Sequence, residues 1–403
     1  MHFFPILATL RRHRTTALLI VLEIALTCAI VCNALFLIGD RLARMDRPSG
    51  LVEDELLRIR LTGIGTKADD KAVTVQDLAA LRAIPGVKFV ADTNMVPFGG
   101  SSWNSGISTI PDDPNGNSAG IYMGSQDLVE TLGVQLIAGR DFTPEEYVED
   151  ARGTAPVPSI IITRAIADRL FPGKSAVGQK VYVTGKEPQT IVGVIEQIAR
   201  PNDTRAGVDL AGFSVILPIL LPYTMGGNYL LRVEPSRRTD ALAAVDAVLN
   251  KVDPNRIILD RQTFEEVRKD HFKADRAMAY LLTGVSLALL IITAFGVVGL
   301  ASFWVRQRTR QIGVRRALGA TRGDILRYFQ LENLILTTAG IIVGMALAYA
   351  INLWLMQKYQ VPRLSAVFLP AGALLLWLLG QVAVFGPAMR ASAIPPAIAT
   401  RTV

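Results

Sequence analysis

Four long stretches of apolar residues stand out from the mixed polar pattern of the rest of the chain. They cover 17–38, 277–304, 333–356 and 367–389, and Glu23 is the one ionisable residue well inside any of them. Because about 20 apolar residues cross the hydrocarbon core of a bilayer at roughly 1.5 Å per residue, each stretch is long enough for a membrane-spanning helix. The pattern therefore predicts a membrane protein with four spans.

The second span is predicted to continue beyond the membrane as part of a longer helix. Residues Thr263 to Arg276 carry the charges of a water-exposed helix and lead into the apolar stretch without a proline. One uninterrupted helix from Thr263 to Trp304 would then connect a soluble domain to the membrane and end in a basic loop at 305–332.

The long segment 39–276, between the first and second spans, has the pattern of a soluble domain with strands and helices. Strand, helix, strand patterns recur near its two ends, at 51–98 and 213–262, and predict one lobe with a split β-α-β sheet. Residues 120–198 have their own strand and helix patterns and are predicted to form an inserted lobe. The predicted fold class is an α+β membrane protein with four transmembrane helices and a large two-lobed α/β domain after the first helix.

Capping patterns place two helix starts. Thr74 and Asp77 have the spacing of a capping box, which predicts a helix beginning at Thr74. Gly319 can stop a helix, and Thr321 with Asp324 has capping-box spacing, so a new helix is predicted to begin there and to become the third span. A short helix should therefore lie between the second and third spans.

The distribution of basic residues predicts on which side of the membrane each segment lies. Lysine and arginine concentrate in the flanks 1–16, 305–332 and 390–403, whereas the short loop 357–366 contains few. The positive-inside rule places both termini and the 305–332 loop in the cytoplasm, and 39–276 outside. The net charge of +7 follows largely from this sidedness, so we expect no nucleic-acid partner.

The residue types needed for catalysis are scarce. The 3 histidines are far apart, and no HExxH or GxSxG motif occurs. The Gly173–Ser175 segment ends like a phosphate-binding loop, but Asp168 occupies the position of the first glycine and a predicted helix precedes it. Cys28 and Cys32 lie one helical turn apart in the first span and are too few for a metal site. We therefore expect no enzymatic activity, no catalytic residues, no cofactor and no metal.

Glu23 is the one ionisable residue that a membrane span must accommodate. It lies about six residues into the span, roughly 9 Å deep at helical rise. An exposed charge at the bilayer centre costs about 2.5 to 3.5 kcal/mol on insertion scales. Two interpretations stay open: packing within the bundle or near the interface, and a functional intramembrane role.

The loop between the second and third spans carries a signature that extends beyond topology. VRQRTRQIGVRRALGATRGDILRYFQLENLIL, from Val305 to Leu336, resembles the signature of MacB/FtsX-type ABC transporter permeases. Three further segments are similar to the same family: GVQLIAGRDFTPEE at Gly133–Glu146, ITRAIADRLFPGKSAVGQKV with IVGVIEQ across Ile162–Gln197, and the tail PAMRASAIPPAIATR. The resemblance covers the whole chain.

This resemblance implies a multi-pass protein of the bacterial inner membrane that depends on a separate cytoplasmic ABC ATPase. It further implies a homodimer, or a heterodimer with a second permease, and admits a periplasmic adaptor (membrane fusion) protein as a partner. Gln307 and Gln311 stand where the commonest family pattern has glutamates, so salt bridges made by those glutamates would be absent here. The family's ATPase-docking role maps onto Arg308, Arg310, Ile312, Gly313, Arg315, Arg316, Leu318, Gly319 and Ala320.

The implied function is a non-catalytic permease subunit of an ATP-driven exporter. The Thr263–Trp304 helix would transmit ATPase motion to the periplasmic domain, and the exported molecules would be peptides, antibiotics or lipid-linked substrates. An alternative stays open, in which the chain is an FtsX-like signalling protein that couples an ATPase to a periplasmic partner without transport. For the arginine-rich loop itself, topology with anionic lipid contact remains an alternative to protein docking.

Overall fold

The computed structural model describes residues 14–63, 69–150, 155–183, 185–201, 211–221, 227–359 and 363–395. Arg11, Arg12 and Arg401, which support the predicted sidedness, lie outside these ranges. The chain divides into two compact units. The helical unit comprises Met1–Asp46 and Ala274–Val403, and the α/β unit comprises Arg47–Lys273.

The helices of the described residues are α1 Arg14–Met45, α2 Asp70–Arg82, α3 Leu128–Leu132, α4 Arg164–Leu170, α5 Arg238–Val252, α6 Phe264–His271, α7 Lys273–Gln307, α8 Thr309–Ala317, α9 Arg322–Tyr359 and α10 Phe368–Ser392. The strands are β1 Leu56–Gly63, β2 Val87–Asp92, β3 Asn104–Ile107, β4 Asn117–Met123, β5 Leu136–Gly139, β6 Val148–Glu149, β7 Ser159–Thr163, β8 Lys180–Val181, β9 Gln189–Ile195, β10 Ser214–Leu217, β11 Ile219–Leu220, β12 Gly227–Val233 and β13 Arg256–Thr263.

Among the described residues of the helical unit, 4 helices are long and apolar enough to cross a membrane. They lie within α1, α7, α9 and α10, where the sequence predicts spans. α1 packs against α9 and α10 around a buried core that includes Ile24 and Leu376. Gly372 of α10 allows a close contact with α1, because a Cβ there would collide with the sulfur of Cys32. In contrast, α7 exposes large apolar side chains such as Ile291 and Phe295.

The predicted uninterrupted helix from Thr263 to Trp304 is wrong. α6 ends at His271, Phe272 has φ −89° and ψ 13°, and α7 begins at Lys273. Phe272 is buried, and its ring lies 5.2 Å from the ring of Phe98 between centroids. Aromatic packing inside the α/β unit therefore interrupts a pattern that is locally compatible with one helix.

The first lobe of the α/β unit is a four-stranded sheet with the order β13-β1-β12-β2. All neighbouring strands are antiparallel, so β1 and β2 run parallel with β12 between them. α2 and α5 bury Leu81 and Val245 against one face of the sheet, where Ile59 and Leu231 complete the core. The split β-α-β arrangement predicted from the sequence is confirmed.

The helix start predicted at Thr74 is wrong. α2 begins earlier, and the side chain of Asp69 caps it by accepting a hydrogen bond from the N–H three residues on, at 2.9 Å. Asp77 instead lies inside the helix, fully buried, where it accepts two hydrogen bonds from the Arg256 guanidinium at 2.8 and 2.9 Å. Tyr229 donates a third at 3.0 Å. The aspartate satisfies a buried arginine of β13, a requirement that local spacing does not reveal.

The second lobe is a seven-stranded sheet with the order β3-β4-β10-β7-β9-β5, and β8 pairs with β9. β10 lies between β4 and β7. The sequence assigned residues from 213 onwards to the first lobe, and for β10 this is a correction. Its alternate side chains pack with Ile162 and Ile191 in the second core, and Phe213 joins them.

A tight corner follows β5 in the GRDFTPEE segment. Gly139 has φ +77°, and a Cβ there would collide with the carbonyl oxygen of Val192. Arg140 donates to both carboxylate oxygens of Glu146, at 2.7 and 2.9 Å. Glu146 also accepts from the Thr143 N–H at 2.7 Å in a capping box. The motif therefore stabilises a turn of the second lobe.

Candidate functional site

The basic segment between α7 and α9 forms the short helix that the sequence predicts. α8 ends at Ala317, and Gly319 has φ +100°, a conformation that favours glycine. Thr321 and Asp324 then exchange hydrogen bonds, from the Thr321 N–H to the carboxylate at 3.0 Å and from the Asp324 N–H to the hydroxyl at 3.2 Å. The predicted capping box is confirmed and starts α9.

One side of α8 packs into the helical unit. Ile312 and Gly313 are buried, and Ile312 lies in an apolar cluster with Phe329 of α9 and Ala388 of α10. Ala320 is half-buried against the same cluster. These three residues were predicted to dock an ATPase, whereas the structure packs Ile312 and Ala320 against α9 and α10 and buries Gly313.

Arg308 is the clearest departure from the predicted docking set. Its guanidinium donates to both carboxylate oxygens of Glu332, at 2.9 and 2.8 Å, and lies 5.5 Å from the centroid of the Trp304 ring. Both charged residues are buried, so Arg308 is not available at the surface. Glu332 is not among the residues predicted from the sequence to form this site. The available signal was a carboxylate at the border of the third span, but nothing local links it to Arg308.

Two more arginines of α8 have partners within the helical unit. Arg316 donates to the carbonyl oxygens of Ser392 and Ile394, at 2.9 and 3.0 Å, and so binds α8 to the C-terminal end of α10. Arg315 lies over the Tyr328 ring, 4.8 Å from its centroid, but remains exposed. Arg316 therefore anchors the helix, whereas Arg315 presents its charge to the solvent.

The opposite side of α8 is exposed and amphipathic. Val314 is 46% exposed and Leu318 is 83% exposed, and their spacing puts them on one face of the helix with the exposed Arg310. Gln311 and Ala317 lie on the same face. We call Arg310, Gln311, Val314, Ala317 and Leu318 the exposed α8 face. Of the predicted docking residues, Arg310 and Leu318 belong to it, and Arg315 and Gly319 lie exposed beside it.

Glu23 faces another helix. A Cβ added to Gly296 of α7 would collide with both carboxylate oxygens of Glu23, so the glycine leaves room for this side chain. One turn further along, the hydroxyls of Thr27 and Thr293 are 2.8 Å apart and hydrogen-bond across the same pair of helices. This geometry accounts for Glu23 as part of a polar contact between α1 and α7.

Features of enzymatic sites are sparse in the part of the chain that the structure describes. No group of three or more His, Cys, Asp or Glu side chains there could hold a metal ion. The Gly173–Ser175 segment follows helix α4 instead of preceding a helix, and Gly173 has φ +72°. The geometry required of a phosphate-binding loop, a strand before and a helix after, is not present at this segment.

Two family sequence models match the chain in succession. The MacB-like periplasmic core domain matches residues 17–248. The C-terminal domain of FtsX-like permeases matches residues 283–396, which include α8 and its exposed face. Neither matched region is an ATPase domain.

Individual relatives agree with these matches. The macrolide export ATP-binding/permease protein MacB of Shewanella sp. (strain W3-18-1) is 28% identical over 302 residues, which are 72% of this chain and 43% of the relative. The chain thus spans less than half the length of that protein. The uncharacterized ABC transporter permease YknZ of Bacillus subtilis (strain 168) is 26% identical over 349 residues, covering 83% of this chain and 80% of the relative.

The solved structures that resemble the chain include extracellular and periplasmic parts of YknZ and MacB proteins. They include the extracellular domain of the YknZ transporter from Gram-positive bacteria (14% identity, TM-score 0.32, covering 50% of this chain and 100% of that one). The periplasmic region of MacB from Actinobacillus actinomycetemcomitans has 11% identity and a TM-score of 0.34, covering 56% of this chain and 97% of that one. Since the periplasmic core domain model covers more than half of the chain and the permease model follows it, the protein belongs to the MacB/FtsX-type ABC transporter permease family.

Proposed function

We propose that the chain is the non-catalytic permease subunit of an ATP-driven exporter in a bacterial inner membrane, and that a separate ABC ATPase docks on the exposed α8 face. The observation that carries the proposal is Leu318, an apolar side chain that is 83% exposed at the end of α8, a helix whose opposite side packs onto the unit. Covering a leucine contributes about 1.5 to 3 kcal/mol, so a partner surface gains from binding here.

The charge of the exposed α8 face favours an acidic partner surface. Arg310 and Arg315 flank the apolar pair, and the exposed Gln307 at the end of α7 and Gln311 in α8 add no negative charge. Arginine charges at the rim of an apolar contact chiefly set orientation and association rate. The docking set is therefore smaller than the sequence suggested: Arg310, Val314, Arg315 and Leu318 contact the ATPase, while Arg308, Ile312, Gly313 and Arg316 hold the helix in place.

The contacts of α8 with α9 and α10 would couple ATPase docking to movement of the membrane spans. Arg308 binds the α7–α8 junction to α9 through Glu332, and Arg316 binds α8 to the end of α10. A displacement of α8 would therefore move the ends of three spans together. α7 continues directly from the α/β unit, so we propose α7, beginning at Lys273, as the helix that transmits the movement.

Sidedness and further partners follow from the same proposal. The basic α8 segment lies in the cytoplasm with both termini, and the α/β unit lies in the periplasm. The apolar side chains that α7 exposes are suited to lipid or to a second permease, as a homodimer or a heterodimer. A periplasmic adaptor would bind the α/β unit.

Docking can be tested by substitutions on the exposed α8 face. L318E and R310E should each weaken association with the cognate ABC ATPase at least tenfold, about 1.4 kcal/mol, because they introduce charge into an apolar or acidic contact. The measurement is ATPase binding to the full chain in nanodiscs, together with ATP hydrolysis by the complex. R169E is the matched control, since Arg169 is an exposed arginine of α4 in the α/β unit, outside α8.

Unchanged association in both L318E and R310E would overturn the docking proposal. Transport is a separate question. Efflux of peptides and macrolides from cells with and without the chain distinguishes an exporter from an FtsX-like signalling protein, because the latter would bind the ATPase without changing efflux.

A further inference from the structure

A cavity of about 260 Å³ lies in the α/β unit, between α2 of the first lobe and the two-stranded sheet of β6 and β11, whose Val148 and Ile219 pack with the core of the second lobe. At ~30 Å³ per water, it has room for roughly eight waters, or for a ligand of comparable size. Clefts between structural lobes are frequent positions for small-molecule sites. The cavity is far along the chain from α8 and plays no part in the proposed docking.

Its walls are largely apolar. Val75 and Leu78 project from α2, and Leu220 and Leu221 come from the facing segment of the second lobe. Val75 is 57% exposed, an unusual position for a valine on a helix that buries its other face in a core. Apolar walls with an exposed valine at the surface suit a ligand with an apolar body.

The polar lining is acidic. Asp92, Glu149 and Asp150 contribute carboxylates, and Lys71 is the one basic side chain among the described lining residues. Lys71 forms an ion pair with Glu149 that links the two lobes. Asp92 is only 6% exposed and accepts a hydrogen bond from the Ser125 N–H at 2.9 Å. Burial raises the pKa of Asp92 above its ordinary value.

The surroundings of the cavity are acidic as well. Burial first, and then the charges of Asp141, Glu130, Asp127 and Asp92, raise the pKa of the Tyr147 hydroxyl. These carboxylates lie around Tyr147, whose hydroxyl donates to the carbonyl of Gln126 beside the lining residue Ser125, and one of them, Asp127, also pairs with Arg82. A negative field over a cavity with low-dielectric walls attracts cations and repels anions.

We propose that this cavity binds a small molecule with an apolar body and one ammonium group, with the cation seated toward Asp92 and Asp150. The apolar walls exclude a bare metal ion as the favoured occupant, because they leave most of its coordination shell without oxygen ligands. The carboxylates exclude fatty acids and other anionic amphiphiles. The inference holds whether or not the chain exports anything.

Two fluorinated probes of matched size test the charge preference. 4-Fluorophenethylammonium and 3-(4-fluorophenyl)propanoate are titrated against the full chain in phosphatidylcholine nanodiscs, with binding followed by fluorine NMR and empty nanodiscs as the blank. We expect the ammonium probe to bind at least tenfold more tightly than the carboxylate. D92N/D150N should lower affinity for the ammonium probe at least tenfold.

The control variant D168N/E187Q also removes two carboxylates, both of them exposed and elsewhere in the second lobe. It should leave the affinity for the ammonium probe unchanged. V75W fills the cavity from an exposed position and should weaken the ammonium probe even if D92N/D150N fails to fold. Equal affinity for the two probes, or an ammonium affinity that V75W does not change, would overturn the proposal. ATPase association is unaffected by these variants, so failure here is distinguishable from failure of the docking proposal.

Discussion

Arg308 lies in a basic segment, but burial and pairing with Glu332 give it a structural role. Their side chains are 7% and 2% exposed. Two charges removed from water are tolerable when they neutralise each other, but removing one partner leaves a buried charge and typically costs about 3 to 5 kcal/mol. The ion pair therefore holds the α7–α8 junction against α9, because separating the two buried charges is strongly unfavourable.

We predict that R308L and E332L each lower the unfolding midpoint of the full chain in nanodiscs. The double variant R308L/E332L should recover much of the loss, because it leaves no unpaired charge. R310L provides the matched control, since Arg310 is exposed two positions away. A midpoint for R308L no lower than that for R310L would contradict the prediction.

Glu146 gives the α/β unit a defined response to acid. The hydrogen bonds from Arg140 hold the pKa of Glu146 at about 2, below its ordinary value of 4.5. Because the folded-state pKa is the lower one, this contribution to stability is present above the unfolded-state pKa and is lost as the pH falls toward 2.

We therefore expect E146Q to unfold more readily than the parent chain at about pH 6 and to lose less stability on acidification to about pH 3. Denaturant unfolding at the two pH values measures this. E187Q, at an exposed glutamate of the same lobe, should keep the parent's pH dependence. Equal acid sensitivity in E146Q and the parent would exclude the assigned role.

At the scale of elements, the sequence predicted features whose causes are local. The four spans follow from apolar length, and the start of α9 follows from Thr321 and Asp324. The failures are nonlocal. Phe272 breaks the α6–α7 helix through packing with Phe98, and Asp77 serves Arg256 instead of a cap. For the same reason, the sequence could not separate the buried Arg308 and Ile312 from the exposed Leu318, because it does not show which face of α8 packs on α9 and α10.

Gly319 ends α8 through its backbone conformation alone. Its φ is +100°, and a Cβ there would meet nothing within 4 Å, so alanine would be strained without any clash. We predict that G319A destabilises the helical unit by about 1 to 2 kcal/mol. G386A is the control, because Gly386 is helical and a Cβ there also meets nothing within 4 Å. It should be neutral or stabilising by up to about 1 kcal/mol. Thermal unfolding that ranks the two variants equally would contradict this explanation.

At the scale of the whole molecule, the proposed sidedness has a direct chemical test. Cys28 and Cys32 are buried in α1, so they offer little background for thiol labelling. A membrane-impermeant maleimide should label K174C in intact spheroplasts and should label R322C only after permeabilisation, since both positions are exposed but belong to opposite sides of the proposed topology. Labelling of both positions, or of R322C alone, in intact spheroplasts would contradict the proposed topology.

The split sheet of the first lobe also dictates an order of assembly as the polypeptide leaves the ribosome. β1 and β2 are made early but cannot pair with each other, because β12 must enter between them. The hydrogen bond from Asn228 to the carbonyl of Thr93 closes across 135 positions. On the proposed topology, β1 and β2 therefore keep unpaired edges during translocation until the second lobe has emerged. Secretion chaperones should accordingly bind nascent chains that stop before Gly227 and release those that extend past Thr263.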